Sequence, residues 1–142
     1  MKKLLILTLV FIFSCGVPRI VILEDTLSAQ EHLNLGYIYE KKGDLKLAKE
    51  EYKKAIRKDK SMWEAYFNLG NVYAKEGNYK EAEEEYRKAL EIKPLEPDIL
   101  NNLAWVLFKQ GKRKEALSTI NEAISISDKE EYRETLKEIE GR

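Results

Sequence analysis

The sequence repeats itself with a period of 34 residues. Setting Trp63 to Glu96 between the stretches before and after it brings Gly43, Gly77 and Gly111 into register. Leu35, Leu69 and Leu103 coincide, as do Ala48, Ala82 and Ala116, and Ala55, Ala89 and Ala123. So do Asn34, Asn68 and Asn102, and Lys41, Lys75 and Lys109. A fixed period of this length restricts the fold severely. One copy is a supersecondary unit too small to bury its own apolar face, so successive copies must stack.

Within each copy the punctuation is helical. Ser28-x-x-Glu31 reads as a capping box, and Ser61-x-x-Glu64 repeats it at the second copy. Pro97 stands where a first helical residue belongs, since that position needs no N–H. Gly43, Gly77 and Gly111 each predict a left-handed stop to a first helix. Second helices are expected over Leu45 to Lys58, Tyr79 to Ile92 and Lys114 to Ile126. Small residues at Gly36, Gly70 and Ala104, and at the three aligned alanines from Ala48, let paired helices approach. Tyr39, Tyr73, Tyr52 and Tyr86 fill the space between them. In Asp128 to Glu140, Tyr132, Leu136 and Ile139 form one narrow apolar stripe, as a capping helix requires.

The middle copy resembles the tetratricopeptide repeat: Tyr66, Leu69, Gly70, Tyr73, Ala82, Tyr86, Ala89 and Pro94 fall at that family's signature positions, with Tyr in its Trp and Phe slots. The first copy matches through His32, Leu35, Gly36, Tyr39, Ala48, Tyr52 and Ala55. The third matches through Leu100, Leu103, Ala104, Leu107, Ala116, Ile120 and Ala123. The resemblance implies an all-α solenoid of three helix-turn-helix repeats, 29–62, 63–96 and 97–130, closed by a capping helix over 131–142.

The same resemblance implies a concave groove lined by one face of each first helix, the spacing of which is that of a single helical face. The residues are Gln30, Leu33, Tyr37 and Glu40, then Glu64, Phe67, Asn71 and Ala74, then Asp98, Asn101, Trp105 and Phe108. Leu33, Tyr37, Phe67, Asn71, Asn101, Trp105 and Phe108 are the candidate partner-binding residues: aromatics beside amides suit an extended or helical peptide segment. The alternative is that the capping helix covers Trp105 and Phe108, and the segment before the first repeat covers Leu33 and Tyr37. The asparagine and lysine ladders read as scaffold. Family members that grip chaperone tails use a clamp of Lys, Asn and basic residues. The corresponding positions here hold Leu33, Tyr37, Asp98 and Asn102, and only Asn68 fits, so that clamp is absent.

The amino terminus follows a different logic. Lys2 and Lys3 precede an apolar run, Leu4 to Phe13, too short to span a bilayer but suited to a secretory signal. Ile12-Phe13-Ser14-Cys15 resembles a bacterial lipobox. That resemblance implies a lipoprotein signal peptide at 1–14, diacylglycerol on the Cys15 sulfur and an acyl group on its amine, with the protein held on a membrane surface. Gly16 in place of Asp leans towards the outer rather than the inner membrane, facing the periplasm of a bacterial cell envelope. Residues 15–28 then form a tether, whose apolar Ile20 to Leu23 either packs on the first repeat or pairs as a strand.

Catalysis finds little to build on. The chain has one His, one Cys and no glycine-rich phosphate loop. His32, in the family's Trp slot, reads as a packing residue. Glu83, Glu84 and Glu85 point in different directions on a helix. Neither cofactor nor metal is expected. The net charge of zero, without a basic stripe, gives nucleic acid no footprint. The expectation is a membrane-anchored, non-enzymatic scaffold for a protein or peptide partner, an assembly or pilot factor for an envelope complex such as a pilus, secretin or outer-membrane machinery. The alternative is a self-associating structural lipoprotein, a homo-oligomer of the envelope.

Overall fold

The computed structural model describes residues 25–141. Cys15, the signal segment and Ile20 to Leu23 lie outside the described residues. Seven helices follow in order: α1 (Ala29–Lys41), α2 (Leu45–Lys58), α3 (Trp63–Lys75), α4 (Tyr79–Ile92), α5 (Pro97–Lys109), α6 (Arg113–Ile126) and α7 (Glu130–Glu140). No strand occurs among the described residues. The all-α solenoid is thus present as three helix pairs and a terminal helix. The second helices start and end where their sequence signals put them, except that α6 begins one residue early.

Each pair is joined by the same turn. Gly43, Gly77 and Gly111 have φ of +81°, +78° and +78°, a region open to glycine. The following residue's N–H then reaches back: Asp44 to Tyr39 O, Asn78 to Tyr73 O and Lys112 to Leu107 O, each at 2.9 Å. This is the Schellman arrangement, made three times.

The helix starts differ from one another. The Ser28–Glu31 capping box forms, with Glu31 N–H donating to Ser28 Oγ at 3.2 Å and Ser28 N–H to Glu31 Oε2 at 2.8 Å. The second box does not. Met62 is the N-cap of α3 and has no side-chain cap bond. Ser61 sits one residue too early, and its N–H and hydroxyl both donate to Asp59 Oδ1, at 2.9 and 2.7 Å. Pro97 opens α5 as expected.

The close approach of paired helices rests on glycine against tyrosine. A Cβ on Gly36 would lie 2.5 Å from Tyr52 Cε1, and one on Gly70 would lie 2.6 Å from Tyr86 Cε1. Both rings are buried, Tyr52 beside Ala48 and Tyr86 beside Ala82 and Ala89. Tyr39 and Tyr73 are only half-buried. In the third pair Ala104 and Ile120 are buried in one core at the equivalent positions, and α7 closes the stack by burying Tyr132 and Ile139. Asp128 stays outside α7, where Arg133 Nε donates to it at 2.7 Å.

His32 is buried, as a packing residue would be, yet it is held between charges. Its Nδ1 lies 2.7 Å from Glu51 Oε2 and its Nε2 2.9 Å from Asp25 Oδ2, the latter an ion-pair contact short of a directed hydrogen bond. Lys58 Nζ donates to the Asp25 carbonyl at 2.6 Å, so the residue just before α1 is pinned to α2. Burial disfavours the Glu51 carboxylate, but hydrogen bonds from Lys54 and His32 outweigh that and hold its pKa below the usual value.

Glu83 of α4 is a second buried carboxylate. Lys112 Nζ (2.6 Å) and Gln110 Nε2 (2.7 Å) donate to its Oε2, and Arg87 Nη2 (2.9 Å) donates to Oε1. Burial opposes its ionisation, yet these donors prevail, and its pKa lies below the ordinary 4.5. A depressed carboxyl pKa stabilises the fold above the unfolded value and loses that contribution as pH falls through the folded one. Stability is therefore expected to fall with pH below about 4.5. Glu83→Gln should be less stable at neutral pH yet lose less on acidification, as read by urea denaturation at a series of pH values. Parallel acid profiles for the two proteins would contradict this.

Candidate functional site

The first helices α1, α3 and α5 lie side by side along one face of the stack, and two open depressions follow one another there. The first, about 400 Å³, is lined by Leu33, Asn34, Tyr37, Ile38, Glu64, Phe67 and Asn68. Its character is apolar. Tyr37 is 53% exposed and Ile38 47%, whereas Leu33 and Phe67 are half-buried in its wall. Phe67 is fixed by tilted ring contacts with Trp63 at 6.3 Å and Tyr86 at 5.9 Å.

The second depression, about 420 Å³, carries more polar groups than the first. Asn71, Asn101 and Asn102 line it with Glu40, Lys75 and Trp105. Its amides are wired into the scaffold: Tyr86 OH donates to Asn71 Oδ1 at 2.7 Å, Asn102 Nδ2 donates to the same oxygen at 2.9 Å, and Asn101 Nδ2 donates to Asn102 Oδ1 at 3.2 Å. The buried Asn101 Oδ1 has no partner. Tyr52 OH donates to Glu40 Oε2 at 2.7 Å, and Lys75 pairs with the other Glu40 oxygen. Burial, helped by the Glu40 carboxylate acceptor, pushes the Tyr52 hydroxyl pKa well above its usual value.

Of the residues expected in the groove, Leu33, Tyr37 and Phe67 meet in the first depression, and Asn71, Asn101 and Trp105 in the second. Phe108 lines neither. It packs half-buried against the core of the third pair. The Trp105 ring meets Tyr79 edge-on at 5.6 Å, while Thr135 of α7 reaches the same depression. The terminal helix thus borders Trp105 without burying it. The asparagine ladder, read from the sequence as scaffold, stands in the groove itself: Asn34 and Asn68 line the first depression and Asn102 the second.

Ile38 was not among the expected residues. Its counterparts one and two repeats on, Val72 and Val106, are buried, Val72 beside Ala48 and Tyr52 of the preceding repeat. The first repeat has no preceding repeat among the described residues, so the same position is left open. Comparing that position across the three copies would have found it.

No three His, Cys, Asp or Glu side chains among the described residues come together as a metal site. No helix there is long and apolar enough to cross a membrane.

Two family models described as tetratricopeptide repeat match the chain, one over residues 33–97 and one over 73–139. No curated protein sequence matches it. The structure is similar to the N-terminal domain of stress-induced protein-1 (STI-1) from C. elegans, with 25% identity and a TM-score of 0.71, covering 79% of this chain and 94% of that one. It is also similar to the first TPR of Spaghetti (RPAP3), solved with an HSP90 peptide bound (18% identity, TM-score 0.77, 80% of this chain and 90% of that one). A third similar structure is YrrB, described as a TPR protein with an unusual peptide-binding site (29% identity, TM-score 0.73). It overlaps 78% of this chain and 58% of YrrB.

Proposed function

We propose that this chain, which belongs to the tetratricopeptide-repeat family, is a scaffold that holds a segment of a protein partner in its concave groove. The observation that carries this reading is the apolar depression between α1 and α3. Tyr37 and Ile38 are half-exposed there beside Leu33 and Phe67, a contiguous apolar surface of the kind that marks an interaction site. The similar RPAP3 and YrrB structures are described with a bound peptide and a peptide-binding site. A chaperone tail of the RPAP3 kind is not the expected occupant, because Leu33, Tyr37 and Asp98 offer no cationic clamp for its carboxylates.

The proposal extends to place. Cys15 carries the lipid, the groove faces the periplasm, and the outer membrane holds the anchor. There the scaffold serves as an assembly or pilot factor for an envelope complex. This rests on the signal-like run and the lipobox pattern. Confinement to a surface raises the effective concentration of a partner in the same layer, which suits a short groove.

One experiment tests both parts: crosslinking in cells, read by mass spectrometry, with membrane fractionation. Wild type should capture one envelope protein, and Tyr37→Ser with Ile38→Ser should lose it while keeping the wild-type melting curve. Cys15→Ser should leave the membrane fraction. Capture indifferent to Tyr37 and Ile38 would sink the groove reading; membrane retention of Cys15→Ser would sink the anchor. Capture of the chain alone would favour self-association.

A further inference from the structure

We propose that the segment taken by the first depression carries a basic side chain among apolar ones, its cation pairing with Glu64. This rests on the groove reading above and names the chemistry of the partner. Each repeat contributes an equivalent residue to the groove face at the start of its first helix: Gln30, Glu64 and Asp98. Gln30 Nε2 is spent on Asn34 Oδ1 at 3.0 Å. Asp98 is spent on Lys129 Nζ at 2.6 Å and on the Tyr132 hydroxyl. Glu64 alone among the three has neither a hydrogen bond nor an ion pair, and it is half-buried in the depression formed by Leu33, Tyr37, Ile38 and Phe67.

Its position in the first turn of α3 explains why a carboxylate is tolerated there, since the helix N-terminus favours negative charge. That does not complete its coordination. The buried carboxylates among the described residues each have cationic donors: Glu51 has Lys54, and Glu83 has Lys112 and Arg87. An apolar segment without a cation would cover Glu64 and strip its water with nothing in return. One that places an ammonium or guanidinium beside it gains a charge-assisted bond in a partly desolvated site. An acidic segment would meet like charge. The charge therefore selects among apolar segments that the hydrophobic wall alone could not distinguish.

The test uses the full chain and two short fluorescent peptides, one alternating leucine with lysine and the other leucine with glutamate, read by fluorescence anisotropy. The lysine peptide should bind wild type and the glutamate peptide should not. Glu64→Gln should weaken the lysine peptide about tenfold, and added salt should then weaken it less than for wild type. Glu122→Gln, on the exposed surface of α6, should change nothing. Glu64→Lys should reverse the preference towards the glutamate peptide. Equal losses from Glu64→Gln and Glu122→Gln would mean diffuse attraction and overturn the proposal. If both peptides bind wild type alike and only Tyr37→Ser with Ile38→Ser abolishes binding, the charge rule fails while the groove reading stands. If light scattering shows a mass that grows with concentration and Glu64→Gln restores a monomer, the occupant is a second copy and the partner assignment is overturned.

Discussion

Tyr86→Ala is expected to lower the unfolding free energy by about 3–5 kcal/mol, the range for removing a buried aromatic side chain and leaving a cavity. The ring lies between α3 and α4, buried among Ala82, Ala89 and the α5 residues of the next repeat. Its loss therefore loosens a pair and the interface to its neighbour together. Two polar consequences add to the cavity: Asn71 Oδ1 loses the Tyr86 hydroxyl, and the groove amide chain through Asn102 loses its inner support. Tyr86→Phe separates the contributions. It keeps the ring and removes only the hydroxyl, so about 1 kcal/mol is expected. Chemical denaturation of the three proteins checks both values, and a Tyr86→Phe loss as large as that of Tyr86→Ala would show that packing is not the main effect.

Gly70→Ala should also destabilise, against the intrinsic preference of helices, which favours alanine over glycine by about 1 kcal/mol. The new Cβ would stand 2.6 Å from Tyr86 Cε1 and 2.7 Å from Cδ1, well inside contact distance. The ring cannot swing aside freely, because its hydroxyl is bound by Asn71 and Phe67 lies against its face. Overpacking of this kind costs about 1–3 kcal/mol, so the clash exceeds the helix gain. The third repeat shows the compatible combination, Ala104 with Ile120. Gly70→Ala together with Tyr86→Ile should accordingly be less damaging than the sum of the single changes. A stabilising Gly70→Ala, or strict additivity in the double mutant, would refute the steric account.

What could be read in the sequence was what depends on neighbours along the chain. The three glycine turns, the helix limits and the apolar stripe of α7 depend on residues a few positions apart, the period on residues one repeat apart, and all appear in the fold. Ser61 shows where local reading fails. The Ser-x-x-Glu spacing was present, but Asp59 captured the hydroxyl first. His32 shows a different failure. Its burial followed from its repeat position, whereas its carboxylate partners come from α2 and from the residue-25 end of the preceding segment, a meeting no local pattern announces. In the groove, Tyr37 and Phe67 were legible because groove positions recur along one helical face. Phe108 lines neither depression and, like Phe67 and Trp105, packs half-buried against the core, in keeping with the alternative of a covered third repeat. Ile38 was missed because no preceding repeat covers it among the described residues. Asp98, expected on the groove face, is drawn into the docking of α7.

The glycine–tyrosine contact between paired helices is one part of what makes two repeats alike. Gly36 with Tyr52 and Gly70 with Tyr86 are the same lock and key, whereas Ala104 with Ile120 is cut differently. The first two repeats share this inner contact but not their outer charges, since Lys49 meets Glu76 where Glu83 meets Gln110 and Lys112. A duplicated copy of residues 63–96 placed before Pro97 would set Glu76 and Asn78 at the positions from which Gln110 and Lys112 now donate to the buried Glu83, so it would need a changed residue at 83 to fit. It would extend the groove by one step, with a second Phe67 and a second Glu64 in register with the first. The inner contact thus fixes how close the two helices of a pair stand, while the charges between pairs decide which neighbour each repeat accepts.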